Sequence, residues 1–219
     1  MADADLVSFR FGEELTQACG GGGPRTEAIS ALRTRLIAQH LPAGCRSLAV
    51  CSPAEAIGCT ALTVGLAVAL AESGLKVLLI DGDLRRPSVQ TFITPSRPVP
   101  GLRQCLGGTD TEFGDAIQFD VLPNFSILYA GEGDEPPQDL LSRTQFPQLI
   151  DTCLREFDFT IIDTPPSNVS ADARRIAKVM GYAVVAVGRD RTFVSDVRAL
   201  VDELAGDGAD VIGTVLIQS

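Results

Sequence analysis

The chain has 219 residues, 45% of them hydrophobic, and a formal net charge of −10. Such a length fits one large domain, and the apolar fraction can fill a core, which excludes a disordered chain. The acidic balance argues against a basic stripe for nucleic acid and against direct docking on anionic lipid, leaving a soluble surface or one facing a basic protein partner.

Residues 1–24 read as a flexible tail that ends in Gly20-Gly21-Gly22-Gly23-Pro24, and residues 25–219 read as one folded unit. The tail carries no apolar run of the secretory kind, and the longest apolar stretch, residues 61–71, is too short to span a bilayer. Residues 26–40 are predicted to be helical, with Thr26 as a cap and Ile29, Leu32 and Leu36 at helical spacing. A short apolar strand follows at 47–51, then a loop at 52–58 and a helix at 60–73 that is apolar almost all round and ended by Gly74. Further apolar strands are predicted at 76–80, 126–129, 159–162, 182–187 and 211–217, with helices at 140–156, 171–180 and 193–205 between them. Residues 84–125, rich in proline and glycine, read as irregular surface structure. Alternating apolar strands and helices predict an α/β fold of three layers, a mostly parallel twisted sheet with helices on both faces.

Six cysteines stand at 19, 45, 51, 59, 105 and 153 with no C-x-x-C pair, and His40 is the only histidine. Spacing therefore builds no zinc site, and the thiols read as reduced ones in a cytoplasmic protein.

Three segments carry candidate chemistry. The strand–loop–helix at 47–73 has the layout of a phosphate loop, whose backbone N–H groups and helix N-terminus converge on an anion. Against the pattern G-x-x-x-x-G-K-[ST], its eight positions read Pro53-Ala54-Glu55-Ala56-Ile57-Gly58-Cys59-Thr60. Gly58 and Thr60 fit. Pro53 replaces the first glycine, Cys59 replaces the lysine that would sit between the phosphates, and Glu55 adds a negative charge to a loop meant for an anion. Cys59, at a helix start, could alternatively be a thiol of lowered pKa, although no base or resolving cysteine stands near it in sequence; a small residue tolerated where lysine is dispensable is the preferred reading. The second segment is an apolar strand ending in Asp81-Gly82-Asp83-Leu84-Arg85-Arg86-Pro87, and the third ends in Asp163-Thr164-Pro165-Pro166. Carboxylates at the carboxyl ends of central strands face the ligand crevice of such a sheet, where they could hold Mg²⁺ or orient an attacking group.

These three segments, in this order, make the chain resemble the cytoplasmic ATPase domain of bacterial tyrosine kinases (BY-kinases) of capsule and exopolysaccharide assembly, relatives of the cell-division and plasmid-partition ATPases with a deviant phosphate loop. The likeness spans residues 27–217. The family's helix pattern E-x-x-R-x-x-R-T is met by Glu27 to Thr34 with Ser30 at the middle arginine, L-L-I-D-x-D-L-R-R-P by Leu78 to Pro87, and S-D-A by Ala171-Asp172-Ala173. The resemblance implies Mg-ATP or Mg-ADP as ligand, with Gly58, Cys59, Thr60 and Arg85 at the nucleotide, and Thr60, Asp81 and Asp163 at magnesium. It makes Asp81 and Asp83 the catalytic acids of an active protein, and puts Glu27 and Arg33 in contact with a neighbouring subunit. It also implies a partner, an inner-membrane chain-length or co-polymerase protein, and a cytoplasmic protein brought to the membrane by that partner. The departures are equally specific. The family's two loop lysines are Ala54 and Cys59, its adenine-side asparagine falls at Ile217-Gln218, and its tyrosine-rich segment has no counterpart, the tyrosines being Tyr129 and Tyr182. The resulting expectation is a degenerate kinase-like protein that binds nucleotide weakly or not at all and acts through its partner. An active ATPase or tyrosine autokinase is the alternative, and a partition- or division-type positioning ATPase is a third reading, against which L-R-R-P and the early helix count.

Overall fold

In the computed structural model, residues 7–13, 15, 23–108 and 113–217 are described. Seven strands form the central sheet: β2 (Ser47–Cys51), β3 (Val77–Asp81), β5 (Gln118–Leu122), β6 (Phe125–Leu128), β7 (Phe159–Asp163), β8 (Tyr182–Gly188) and β9 (Asp210–Ile217). Two short strands, β1 (Phe9–Phe11) and β4 (Ile93–Pro95), pair apart from it. The main sheet runs β5-β6-β3-β7-β2-β8-β9, and all its pairings are parallel except β5 with β6.

Strand residues alternate between two cores because successive side chains point to opposite faces. Leu48, Val50, Leu79 and Ile161 join the face covered by α1 (Pro24–Arg35) and α2 (Cys59–Glu72). Ala49, Leu78, Ile80 and Ile162 join the face covered by α3 (Gln145–Glu156), α4 (Asp172–Met180) and α5 (Val194–Gly206). This is the expected three-layer α/β arrangement. α2 lies between the sheet and α1, which explains why it is apolar all round: from Ala61 to Ala71 only Ala69 escapes full burial.

The structure departs from the sequence reading in five places. Phe9–Phe11, placed in the flexible tail, pair antiparallel with Ile93–Pro95, and Gly12 N–H donates to Phe92 O at 2.8 Å. The glycine run at 20–22 lies outside the described residues, and Pro24 already opens α1 at a position where its missing N–H costs nothing. α1 continues as a π-helical turn, Leu36–His40, closed by Leu41 N–H on Leu36 O. The helix predicted at 140–156 is two, Pro137–Leu141 and α3, with a turn at 142–144 between them. Finally, β5 lies within the region read as irregular; it is an edge strand with a register shift and a left-handed residue, Asp120.

Candidate functional site: a nucleotide crevice at the strand ends

β3 and β7 are neighbours in register, so their last residues, Asp81 and Asp163, stand side by side at the carboxyl edge of the sheet. Both are buried. Gly82 is what allows the chain to turn there, since a Cβ on it would lie 2.5 Å from Asp163 O and 2.8 Å from the Ile162 side chain. Across from them begins α2, whose first turn presents two hydroxyls on one face because residues three apart are helical neighbours. Thr60 Oγ1 donates to Asp163 Oδ2 at 2.6 Å, and Thr63 Oγ1 donates to Asp163 Oδ1 at 2.9 Å. Ser88 links the two acids: its hydroxyl meets Thr60 Oγ1 at 2.8 Å, and its N–H and that of Val89 both donate to Asp81 Oδ2 at 3.1 Å. Thr60, Asp81 and Asp163, inferred from three separate segments, are thus brought into one network.

The network leaves an opening. Asp81 Oδ1 is buried and has no hydrogen-bond partner among the described residues. Burial, and then the neighbouring Asp163 charge, hold the Asp81 carboxyl well above the usual carboxylate range. Burial raises Asp163 too, to about 6, against the opposing pull of the Thr60 and Thr63 hydroxyls. Two adjacent buried carboxyls with one unfilled oxygen fit a hard divalent cation. No group of three or more His, Cys, Asp or Glu side chains among the described residues could hold a metal alone. Two carboxylates suit Mg²⁺, which usually takes one or two and completes its shell with water and phosphate oxygens.

Beside this network lies a cavity of about 320 Å³, lined by Glu55 and Gly58 of the phosphate loop and by Thr60, Asp83, Arg86 and Phe92 among others. Gly58 caps α2 in the left-handed conformation (φ 90°), which costs glycine little. Ala56 is also left-handed (φ 59°), where a Cβ is disfavoured. Arg191, from beyond β8, braces this turn by donating to Ala56 O at 3.2 Å.

The Cys59 side chain brings no positive charge to the loop. Its thiol turns inward to Val50 O at 3.5 Å, and burial, with Asp163 next, pushes its pKa well up rather than down. Desolvation thus opposes the alternative of a lowered thiol pKa at the helix start, in line with the preferred reading of Cys59 as a small tolerated residue.

The other candidate residues fall as follows. Asp83 folds back so that Oδ1 accepts the N–H groups of Arg85 and Arg86, each at 3.0 Å, and it lines the cavity. Arg85, expected at the nucleotide, turns away: Nε donates to the buried Asp172 at 2.7 Å and Nη2 to Gln138 at 3.0 Å, clipping the β3 loop to α4. The arginine that lines the cavity is Arg86. Glu27 and Arg33 lie on α1, Glu27 exposed and Arg33 beside Ser30 at 3.4 Å. Sequence reasoning missed Thr63 and Ser88. The three-residue spacing from Thr60 to Thr63 was an available signal, whereas nothing local marks Ser88.

Relatives have the same architecture. The chain is 29% identical over 191 residues to CapB of Staphylococcus aureus, named among tyrosine-protein kinases, covering 87% of this chain and 83% of CapB. It is 28% identical over 190 residues to the tyrosine-protein kinase CpsD of Streptococcus agalactiae, covering 87% and 82%. It spans only 26% of the tyrosine-protein kinase etk of Escherichia coli. The solved kinase domain of that Escherichia coli protein superposes with a TM-score of 0.84 at 26% identity, over 93% of this chain and 79% of that one. The cell division ATPase MinD of Pyrococcus furiosus gives 0.67 at 26% identity over 78% of this chain and 71% of that one. The AAA domain family matches residues 48–179, well over half of the chain. The chain therefore belongs to the AAA domain family, with the P-loop NTPase fold, and is similar within it to bacterial tyrosine kinases.

Proposed function

We propose that this chain is a kinase-like protein of capsule or exopolysaccharide biosynthesis that binds Mg-nucleotide weakly, transfers phosphoryl groups poorly, and acts through a membrane-bound chain-length or co-polymerase partner. One observation carries the reading. The metal-side network of Thr60, Asp81 and Asp163 is assembled, while the position of the loop lysine holds a thiol turned into the core. Thr60, Asp81 and Asp163 would hold magnesium. Backbone N–H groups at Gly58 and the start of α2 would meet the phosphates. Magnesium, when bound, would spread the charge of the phosphate oxygens. Without the lysine, the equatorial oxygens lose a fixed positive charge, and charge clamps of this kind are worth about 3 kcal/mol in a transition state.

The partner reading draws on the kinship with tyrosine kinases and on the fact that no helix among the described residues is long and apolar enough to cross a membrane. Glu27 and Arg33 on α1 are the surface through which copies of this chain, or active kinase subunits, would meet. A second reading, an active ATPase or tyrosine autokinase, is favoured by the same assembled acids, since Asp81 and Asp83 could serve an attacking group.

Calorimetric titration with Mg-ATP separates the two. The natural chain is expected to give negligible heat, and a Cys59→Lys, Ala54→Gly variant measurable binding. A micromolar Kd for the natural chain would refute the weak-binding reading.

A further inference from the structure

Arg86 is the one lysine or arginine among the described residues lining the loop cavity. Its Nη1 donates to Glu55 Oε1 at 2.8 Å, and Glu55 is the loop's own acidic residue, standing between Ala54 and the strained Ala56. The same cavity is lined by Thr60, whose hydroxyl is bound to Asp163, and by Asp83, whose carboxylate fixes the Arg86 backbone N–H. The backbone of Arg86 is therefore anchored on Asp83, while its guanidinium reaches across to the phosphate loop.

Both side chains of this pair are exposed, at 75% for Arg86 and 47% for Glu55. An exposed pair of single charges contributes little net stability and is screened by salt. A polyphosphate carries several charges and offers paired oxygens that match the planar guanidinium fork, so it would compete well against one carboxylate. Arg85, by contrast, is committed to the buried Asp172 and is not free to move.

We infer that Arg86 is the cation that receives the nucleotide's phosphates in place of the absent loop lysine, and that Glu55 occupies it as a stand-in anion until nucleotide displaces it. This rests on the nucleotide-site reading above and adds to it a regulated affinity. The loop's negative residue is a competitor for the phosphate-binding cation, so the weakness of binding comes partly from Glu55 and not from the missing lysine alone.

The test is calorimetric titration of the full chain with Mg-ADP and Mg-ATP up to millimolar nucleotide, at low and at high salt. Glu55→Gln is expected to tighten binding about tenfold, with the gain shrinking as salt rises. Arg86→Gln is expected to bind no better than the natural chain, and Glu55→Gln with Arg86→Gln is expected to lose the gain. Because both side chains are exposed, circular dichroism should show all three variants folded. No gain in Glu55→Gln would overturn the inference. A gain that survives in the double variant would also overturn it, since Glu55 would then act by simple repulsion. The Cys59→Lys, Ala54→Gly variant keeps the two ideas apart. Binding there with an inert Glu55→Gln removes Arg86 and leaves the nucleotide site. Micromolar binding by the natural chain that Arg86→Gln abolishes supports Arg86 and removes the weak-binding reading.

Discussion

The acidic wall and the phosphate loop meet at Thr60 but are made of different material. The wall is drawn from strand ends: Asp81 and Asp163 close β3 and β7, are buried, and are held by Thr60, Thr63, Ser88 and the backbone of Val89. The loop is drawn from the surface, with Glu55 and Ala56 exposed and Ala56 left-handed. A change in the wall disturbs the sheet and α2 together, whereas a change in the loop disturbs mainly what binds there. That difference lets the loop vary in sequence while the fold remains that of its kinase relatives. It also ranks the experiments, because a substitution in the wall should cost or gain far more stability than one in the loop.

The strongest blow to the wall is Gly82→Ala. The added Cβ would meet backbone, Asp163 O at 2.5 Å, which cannot swing aside like a side chain. Overpacking against a fixed neighbour costs about 3 kcal/mol, at the upper end of the usual range. Urea denaturation should show that loss. A change under 0.5 kcal/mol would mean that β3 and β7 can separate freely, and that the wall is no stiffer than the loop.

The next effect runs the other way. Asp81 and Asp163 hold their protons to higher pH in the folded chain than in the unfolded one. As pH rises from 3.8 to about 6, the unfolded chain releases the Asp163 proton while the folded chain retains it. Stability contributed by this group is therefore present at acid pH and lost as pH rises through that window, by up to about 1.4 kcal/mol per pH unit. Asp81 adds the same sign at higher pH, from burial first and the Asp163 charge second. Asp81→Asn removes the penalty and keeps an acceptor for the Ser88 and Val89 N–H groups. It should stabilise the metal-free chain by about 2 kcal/mol at pH 7, with the advantage shrinking at lower pH. Denaturation at two pH values decides it; a destabilised variant at neutral pH would show that the Asp81 charge is already compensated.

How much of this was legible in the sequence follows the same division. Asp81, Asp163 and Thr60 could be read because each is tied to the end of a strand or the start of a helix, and the sheet then dictates where they meet. The two cores were legible for the same reason, through apolar runs that only a sheet covered on both faces tolerates. Arg85 and Arg86 were not distinguishable: they are adjacent, equally charged, and sent in opposite directions by Asp172 and Glu55. Ser88 escaped because its role depends on the β3 loop curling back over Asp81. β5 escaped because a shifted antiparallel edge strand with a left-handed aspartate carries little periodicity.

The smallest effect belongs to the loop and tests whether it is as independent as the comparison claims. Ala56 holds φ 59° without burying its methyl group. The left-handed conformation costs a residue with a Cβ about 1–2 kcal/mol, while glycine adds about 0.4–1 kcal/mol of unfolded-chain entropy to be lost. Ala56→Gly should therefore stabilise the chain by roughly 0.5 kcal/mol, read as a small rise in Tm. The carbonyl that Arg191 grips is unchanged by the substitution, so the brace should persist. A loss of stability instead would mean that the Ala56 methyl packs on something the loop needs. The loop would then be coupled to the folded body, and the division between wall and loop would fail at its weaker side.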